Sequence, residues 1–224
     1  MGVAGEQQPF RFVTHLTLTE LTGRRARDLL DLLRHLKVVP LSVVYYHTHH
    51  FLEQHRTLSP APPNDFAFWI TQTLQEIGLG ERLTAIDTIQ FTRLADLRDA
   101  IVSAIESHLA TAKSLTPAPE GSDFVFMNSR SFLLPTPYEA RTLEEFAQAL
   151  GKVSIHSIYH HVFEARLRLE RGNDFAEWLT GLGEKDLAWQ ITLMDPYTQT
   201  LESLRKRIRR LVERRVFEKQ HVPA

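Results

Sequence analysis

Apolar residues recur along most of the chain at the three- and four-residue steps of an amphipathic helix. Between about Thr22 and Leu36 they form one stripe, made of Ala26, Leu29, Leu30, Leu33 and Leu36. Similar stripes cover residues 94–112 and 196–217. Each half begins with a short apolar alternation, at residues 10–13 and 124–127, and runs that short cannot carry a sheet alone. The pattern predicts an all-α protein, with at most a very short β element at those two places.

The chain carries one pattern twice. From about residue 10 to residue 47 the two copies align without a gap at an offset of 114, so that Tyr45 meets Tyr159 and His47 meets His161. Further on, residues 64–67 match 173–176 at an offset of 109, and residues 78–81 match 181–184 at an offset of 103. Such self-similarity indicates a tandem duplication.

The duplication predicts the organisation of the chain. We expect a helical repeat one at residues 10–112 and a helical repeat two at 124–218, joined by a linker at 113–123. Residues 1–9 and 219–224 are expected to be flexible. Each repeat is small and its helices have wide apolar faces, so we expect the two to share one core around a pseudo-two-fold axis.

Composition narrows the classes of protein. The 224 residues are 43% hydrophobic and 24% charged, with a net charge of -1, which is ordinary for a globular protein and gives no field that would attract nucleic acid or an anionic membrane. No apolar run approaches a membrane span, and the N-terminus lacks the features of a secretory signal. The absence of cysteine excludes disulfides, thiolate zinc sites and thiol nucleophiles, and it fits the cytoplasmic location that we expect.

The chain contains eleven histidines, a high number for its length, and this side chain can bind metals or transfer protons. Several of them lie in the predicted helices at about 41–55 and 154–169. Imidazole and carboxylate groups three residues apart share a helix face, and they suit zinc, iron or manganese. The candidate metal ligands are His47, His50, Glu53, His161 and Glu164. A second alignment, shifted by three residues, pairs His49-His50 and Glu53 with His160-His161 and Glu164, and it implies a similar surface.

The same helices allow two other interpretations. Tyr45, His47, Tyr159 and His161 are expected to be core polar groups that hydrogen-bond across the seam between the repeats, because buried polar groups need partners. If that seam encloses a pocket, these four residues and Arg166 would bind a ligand, with the guanidinium suited to a phosphate or carboxylate. Asn64 and Asn173 each precede an acidic and apolar run, which predicts two helix N-caps.

The last predicted helix has a basic polar side, from Arg205 to Arg215. Such a surface is typical of a nucleic-acid or anion interface. The near-neutral chain and the lack of aromatic residues beside these arginines make nucleic-acid binding the weaker interpretation.

Four stretches resemble a prokaryotic family of duplicated, mostly helical proteins of unknown function: Tyr45-Tyr-His-Thr-His49, Pro62-Pro-Asn-Asp-Phe-Ala67, Phe163-Glu-Ala-Arg-Leu-Arg168 and Asp195-Pro-Tyr-Thr198. The resemblance brings no catalytic residue. Its associations suggest a carbohydrate-transferring enzyme as a partner.

The sequence contains no phosphate-binding glycine loop and no catalytic motif of the hydrolase, metalloprotease, kinase or dinucleotide-binding type. We therefore expect a non-enzymatic module that binds a small molecule or a protein and needs no cofactor. The alternatives are a metal-binding enzyme or sensor at the seam between the repeats, and anion binding through the last helix.

Overall fold

Two long strands pair in the computed structural model, which describes residues 8–50, 64–112, 115–165, 172–194 and 199–221. Strand β1 (Phe10–Ala26) and strand β2 (Phe124–Ala140) have 17 residues each and form a two-stranded antiparallel sheet. The prediction of an all-α fold with a very short β element is therefore wrong, and the protein is mixed α/β.

The strands escaped prediction because most of their length is not buried on one face. In β1, threonines alternate with His15, Leu16 and Leu18, which favours a strand through β-branched side chains, but the leucines point to solvent. The buried Ala26 ends the strand and does not begin a helix. In β2, Pro135 and Pro137 are two residues apart, and prolines are tolerated in an edge strand, which β2 is among the described residues.

The described residues of the first half continue with five α-helices. Their bounds are α1 Leu29–Leu36, α2 Leu41–Tyr45, α3 Asp65–Gln72, α4 Ile77–Thr84 and α5 Leu94–Leu109. A π-helical turn, Tyr46–His50, extends α2, and a short 3-10 turn lies at Thr88–Gln90. Asn64 caps α3, because its side chain accepts a hydrogen bond from the Ala67 backbone N–H at 2.7 Å.

The second half repeats this order. Its helices are α6 Leu143–Leu150, α7 Ile155–Tyr159, α8 Asp174–Gly181, α9 Lys185–Thr192 and α10 Leu201–His221. A second π-helical turn, His160–Glu164, extends α7. Asn173 caps α8 in the same way as Asn64 caps α3, which confirms both predicted caps.

The structure fixes the alignment of the two halves. Both strands, α1 and α6, and the two π-turns correspond at the offset of 114, so the gapless alignment is correct and the shifted one is not. The offset of 103 is also wrong. Helix α4 corresponds to α9 at an offset of 108, since Glu76 and Glu184 both precede the helix and the residues before them, Gln75 and Gly183, both have positive φ.

The chain forms two compact units, and each unit contains the first part of the strand that belongs to the other repeat. The first unit comprises the described residues of Met1–Leu16 and Phe132–Ala224, and the second comprises those of Thr17–His55 and Ser59–Ser131. The start of β1 thus belongs with the helices of repeat two, and the start of β2 belongs with the helices of repeat one.

In each unit, the core includes the strand segment that comes from the other repeat. In the first unit, the Phe10 and Phe12 rings lie 5.5 and 5.4 Å from Phe146 of α6. In the second unit, the Phe124 ring lies 5.2 Å from Phe66 of α3, within a core that includes buried side chains of α1, α2, α4 and α5. Burial of such an aromatic ring contributes about 1.5–3 kcal/mol, so the strand exchange is part of the core of both units.

Candidate functional site

In the second unit, His47 binds the start of strand β2, which comes from repeat two. Its buried ring lies on the first π-turn, with Nδ1 2.8 Å from the Asp65 carboxylate of α3. Its Nε2 accepts a hydrogen bond from the Met127 backbone N–H of β2 at 2.9 Å. One side chain therefore ties together a π-turn, a helix start and a strand that comes from the other repeat.

His161 has the same contacts in the first unit. Its Nδ1 lies 2.8 Å from the Asp174 carboxylate of α8, and its Nε2 accepts from the Val13 backbone N–H at 3.0 Å. Because Nε2 accepts, the neutral ring carries its proton on Nδ1 and donates it to the aspartate. Both nitrogens of His47 and of His161 are used in this way, which favours the structural interpretation over the metal-ligand one.

Tyr45 and Tyr159 are buried beside these histidines, each inside its own unit. The Tyr45 ring stacks on His49 at 5.5 Å, and the Tyr159 ring stacks on Phe163 at 5.2 Å. These contacts are core packing, and the proposed ligand-binding role of the two tyrosines stays a prediction. Arg166, Glu53 and the side chain of His50 lie outside the described residues.

Glu164 is the member of the predicted metal set that has several imidazole neighbours. In the first unit its Oε2 lies 2.7 Å from His160 Nδ1 and 3.3 Å from His15 Nδ1. Burial alone would raise the pKa of the Glu164 carboxyl, but hydrogen bonds from His15 and His160 lower that pKa to about 2. The carboxylate is therefore anionic over the whole physiological range.

Two groups of side chains among the described residues have the composition and spacing to hold a metal ion. One is His15, His160 and Glu164, and the other is His160, His161 and Asp174. Sequence reasoning did not select His15, His160, Asp65 or Asp174. His160 appeared only in the shifted alignment, Asp65 and Asp174 were assigned to helix capping, and His15 had no sequence signal because its strand was not predicted.

Exposed apolar side chains mark the β ribbon. In the first unit, Leu16 of β1 is 52% exposed, while Phe132, Leu133 and Leu134 of β2 are 46%, 60% and 45% exposed. Consecutive strand residues point to opposite faces, so the last three place apolar surface on both faces of the sheet. We call these four residues the ribbon patch.

The first unit also has an open groove of about 620 Å³ along α8 and α9. Exposed Trp189, Lys185 and Glu177 line it, together with the buried Asn173. Neither Tyr159 nor His161 is among its lining residues. The groove is thus separate from Tyr159 and His161.

Helix α10 carries most of its basic residues in ion pairs. Arg209 lies 2.8 Å from Glu213, and Arg215 lies 2.7 Å from Glu184, whose other oxygen contacts Lys219. The apolar side, with Leu204, Ile208 and Val212, is buried as the sequence indicates. Internal pairing lowers the charge available to a polyanion, which weakens the case for nucleic-acid binding.

Comparisons with known proteins agree on a family without an assigned function. No helix among the described residues is both long enough and apolar enough to cross a membrane. No curated protein matches the chain significantly. The structure is similar to that of OrfY from Thermoproteus tenax, with a TM-score of 0.77 and 27% sequence identity over 93% of this chain and 96% of that one. The model of the family of unknown function DUF5752 matches residues 7–213, which confirms the resemblance, and the chain therefore belongs to that family.

Proposed function

We propose that the protein is a non-enzymatic binding module that docks a partner protein on the ribbon patch. The observation that carries the proposal is the exposure of Leu16, Phe132, Leu133 and Leu134 on a sheet that has two strands among the described residues. Exposed apolar side chains that cluster on one short part of a protein surface are typical of interaction sites.

The backbone of the ribbon supports the same role. Within the part of the chain that the structure describes, one edge of each strand has no pairing strand, and a long edge with apolar side chains favours association unless something covers it. A partner that adds a strand or an apolar face would satisfy both the backbone groups and the side chains. The family resemblance makes a carbohydrate-transferring enzyme the first partner to test.

The patch is poorly explained by folding alone. Phe10 and Phe12, at the start of β1, already anchor the strand in the core of the first unit, while Leu16 and Leu133 stay more than half exposed. Burying one such leucine at an interface contributes about 1–2 kcal/mol, so the two leucines supply enough free energy to change an affinity at least tenfold.

Site-specific cross-linking tests the proposal. A photoreactive phenylalanine analogue at the position of Phe132, in the full chain expressed in its own cells, should cross-link to one defined protein other than this chain. The identified partner is then purified and its affinity is measured against wild type and the double variant L16T/L133T. Threonine keeps the strand propensity while it removes the apolar side chain. We expect at least tenfold weaker binding by the double variant.

L193T is the matched control, since Leu193 is 62% exposed in the same unit but lies at the end of α9. Its affinity for the partner should equal that of wild type. Cross-links only to a second copy of this chain, or equal affinities for wild type and L16T/L133T, would contradict docking of a partner on the ribbon patch.

A further inference from the structure

The first unit contains a buried group of two imidazoles and one carboxylate that no duplicated contact explains. His15 and His160 are each 4% exposed, and the side chain of Glu164 is 15% exposed. One ligand atom from each of these three side chains lies within 4.8 Å of the other two. We propose that His15, His160 and Glu164 form a binding site for one divalent transition-metal ion such as zinc or ferrous iron.

The donor set determines the class of ion. Two imidazole nitrogens with one carboxylate oxygen suit zinc, iron, cobalt or nickel, whereas magnesium and calcium prefer all-oxygen sites. Three protein ligands leave at least one coordination position for water or for an outside ligand. The site goes beyond partner docking, because it shares no residue with the ribbon patch.

The distances are close to those that an ion requires. Zinc at 2.0–2.2 Å from each ligand holds its ligands about 3.4 Å apart in tetrahedral geometry. His15 Nδ1 already lies 3.3 Å from the carboxylate oxygen. His160 Nδ1, at 2.7 Å, has to withdraw by less than about 1 Å, which a small ring rotation supplies.

The scaffold presents these ligands from two distant parts of the chain. His160 and Glu164 lie at the two ends of the second π-turn, and π-turns within helices occur frequently at functional sites. His15 comes from β1, which the hydrogen bond from Val13 N–H to His161 holds against that turn.

The duplication provides an internal comparison for this group. At the offset of 114, the second unit has Ser129, Tyr46 and His50 at the positions of His15, His160 and Glu164. By contrast, the pairs His47–Asp65 and His161–Asp174 occur in both units with matching distances. The duplicated pairs therefore belong to the fold, whereas the group found in one copy is not required to build the same elements.

The neighbouring group of His160, His161 and Asp174 is the weaker site. His161 uses both ring nitrogens to hold Asp174 and the Val13 backbone, so binding an ion there would break a contact that the fold uses twice. His160 is common to both groups, and it is assigned to the group with His15 because that group contains no such contact.

Zinc titration of the metal-free full chain tests the proposal. Calorimetry with Zn²⁺ should show one ion per chain. H15S and H160Y introduce the residues that the second unit carries at these positions, and E164Q removes the charge with almost no change in shape. We expect each variant to bind Zn²⁺ about 100-fold more weakly or worse, because each removes a direct ligand.

H49F is the control, because it replaces a buried histidine of the second unit with the residue found at the corresponding position of the first, Phe163. Its zinc affinity should equal that of wild type. Circular dichroism verifies folding, and if H160Y does not fold, H15S and E164Q carry the test. Absence of stoichiometric Zn²⁺ binding by wild type, or equal affinity in H15S and E164Q, would overturn the assignment.

Discussion

Acid should destabilise the protein through one buried histidine, His49. This residue lies on the first π-turn, is 6% exposed and stacks on the Tyr45 ring. Its Nδ1 lies 2.7 Å from the Thr48 hydroxyl. Burial disfavours the charged ring and lowers the pKa of His49 from 6.5 to about 4.

The size of the effect follows from the two pKa values. Between pH 6.5 and about pH 4 the unfolded chain takes up a proton at His49 that the folded chain does not, so stability falls as the pH falls. A shift of one pKa unit corresponds to about 1.4 kcal/mol, and the full loss is therefore about 3 kcal/mol. Above pH 6.5 the ring is neutral in both states and contributes no pH dependence.

The variant H49F isolates this contribution, because every other titrating group is shared with wild type. Phenylalanine suits the position, since Phe163 stacks on Tyr159 in the other unit as His49 stacks on Tyr45. Urea unfolding at several pH values gives the free energy of unfolding of both proteins. Between pH 7.5 and pH 4, the variant should gain about 3 kcal/mol relative to wild type. Parallel stability curves over that range would refute the argument that burial keeps His49 neutral.

Three further predictions concern the contacts that hold the units and the last helix. H161A should lower the free energy of unfolding in urea by about 2–4 kcal/mol. The substitution removes the acceptor of the Val13 backbone N–H and creates a cavity. A loss below about 0.5 kcal/mol would contradict this prediction. Burial raises the pKa of Glu184, but hydrogen bonds from Lys219 and Arg215 lower this pKa by a larger amount. The ion pairs of Glu184 therefore stabilise the fold above pH 4.5, and this stabilisation is lost as the pH falls below that value. E184Q should therefore melt below wild type at pH 7, and this deficit should shrink as the pH falls below 4.5, whereas a deficit that does not change with pH would argue against the ion pairs. R209Q/R210Q should elute from a polyanion column at the same salt concentration as wild type, and earlier elution would indicate a nucleic-acid surface.

The helices were predictable from sequence because burial imposes a period on them. Leu29, Leu36 and their copies Leu143 and Leu150 all face a core, and the spacing of three and four residues records that constraint. The middle of the two-stranded sheet is not buried, and its leucines face solvent on both faces of the sheet. Its sequence therefore has no periodic apolar pattern. A sequence pattern detects burial, and an exposed strand held only by its ends and by its partner strand gives almost no signal.

The candidate site was partly predictable for a related reason. The repeat singled out His47 and His161, and the structure gives both the same two hydrogen bonds. Repetition is a signal of shared architecture, so it selected the residues that hold the fold. His15 and His160 have no counterparts of the same type, and a search based on repetition passes over such residues.

Anomalous diffraction from zinc-soaked crystals of the full chain tests most directly whether duplicated histidines hold the fold and the unduplicated group binds a metal. The predicted result is one strong anomalous peak within about 2.2 Å of His15 Nδ1, His160 Nδ1 and a Glu164 oxygen, with the hydrogen bonds of His47 and His161 intact. A peak bound instead by His47 or by His161, or no peak near Glu164, would contradict the account.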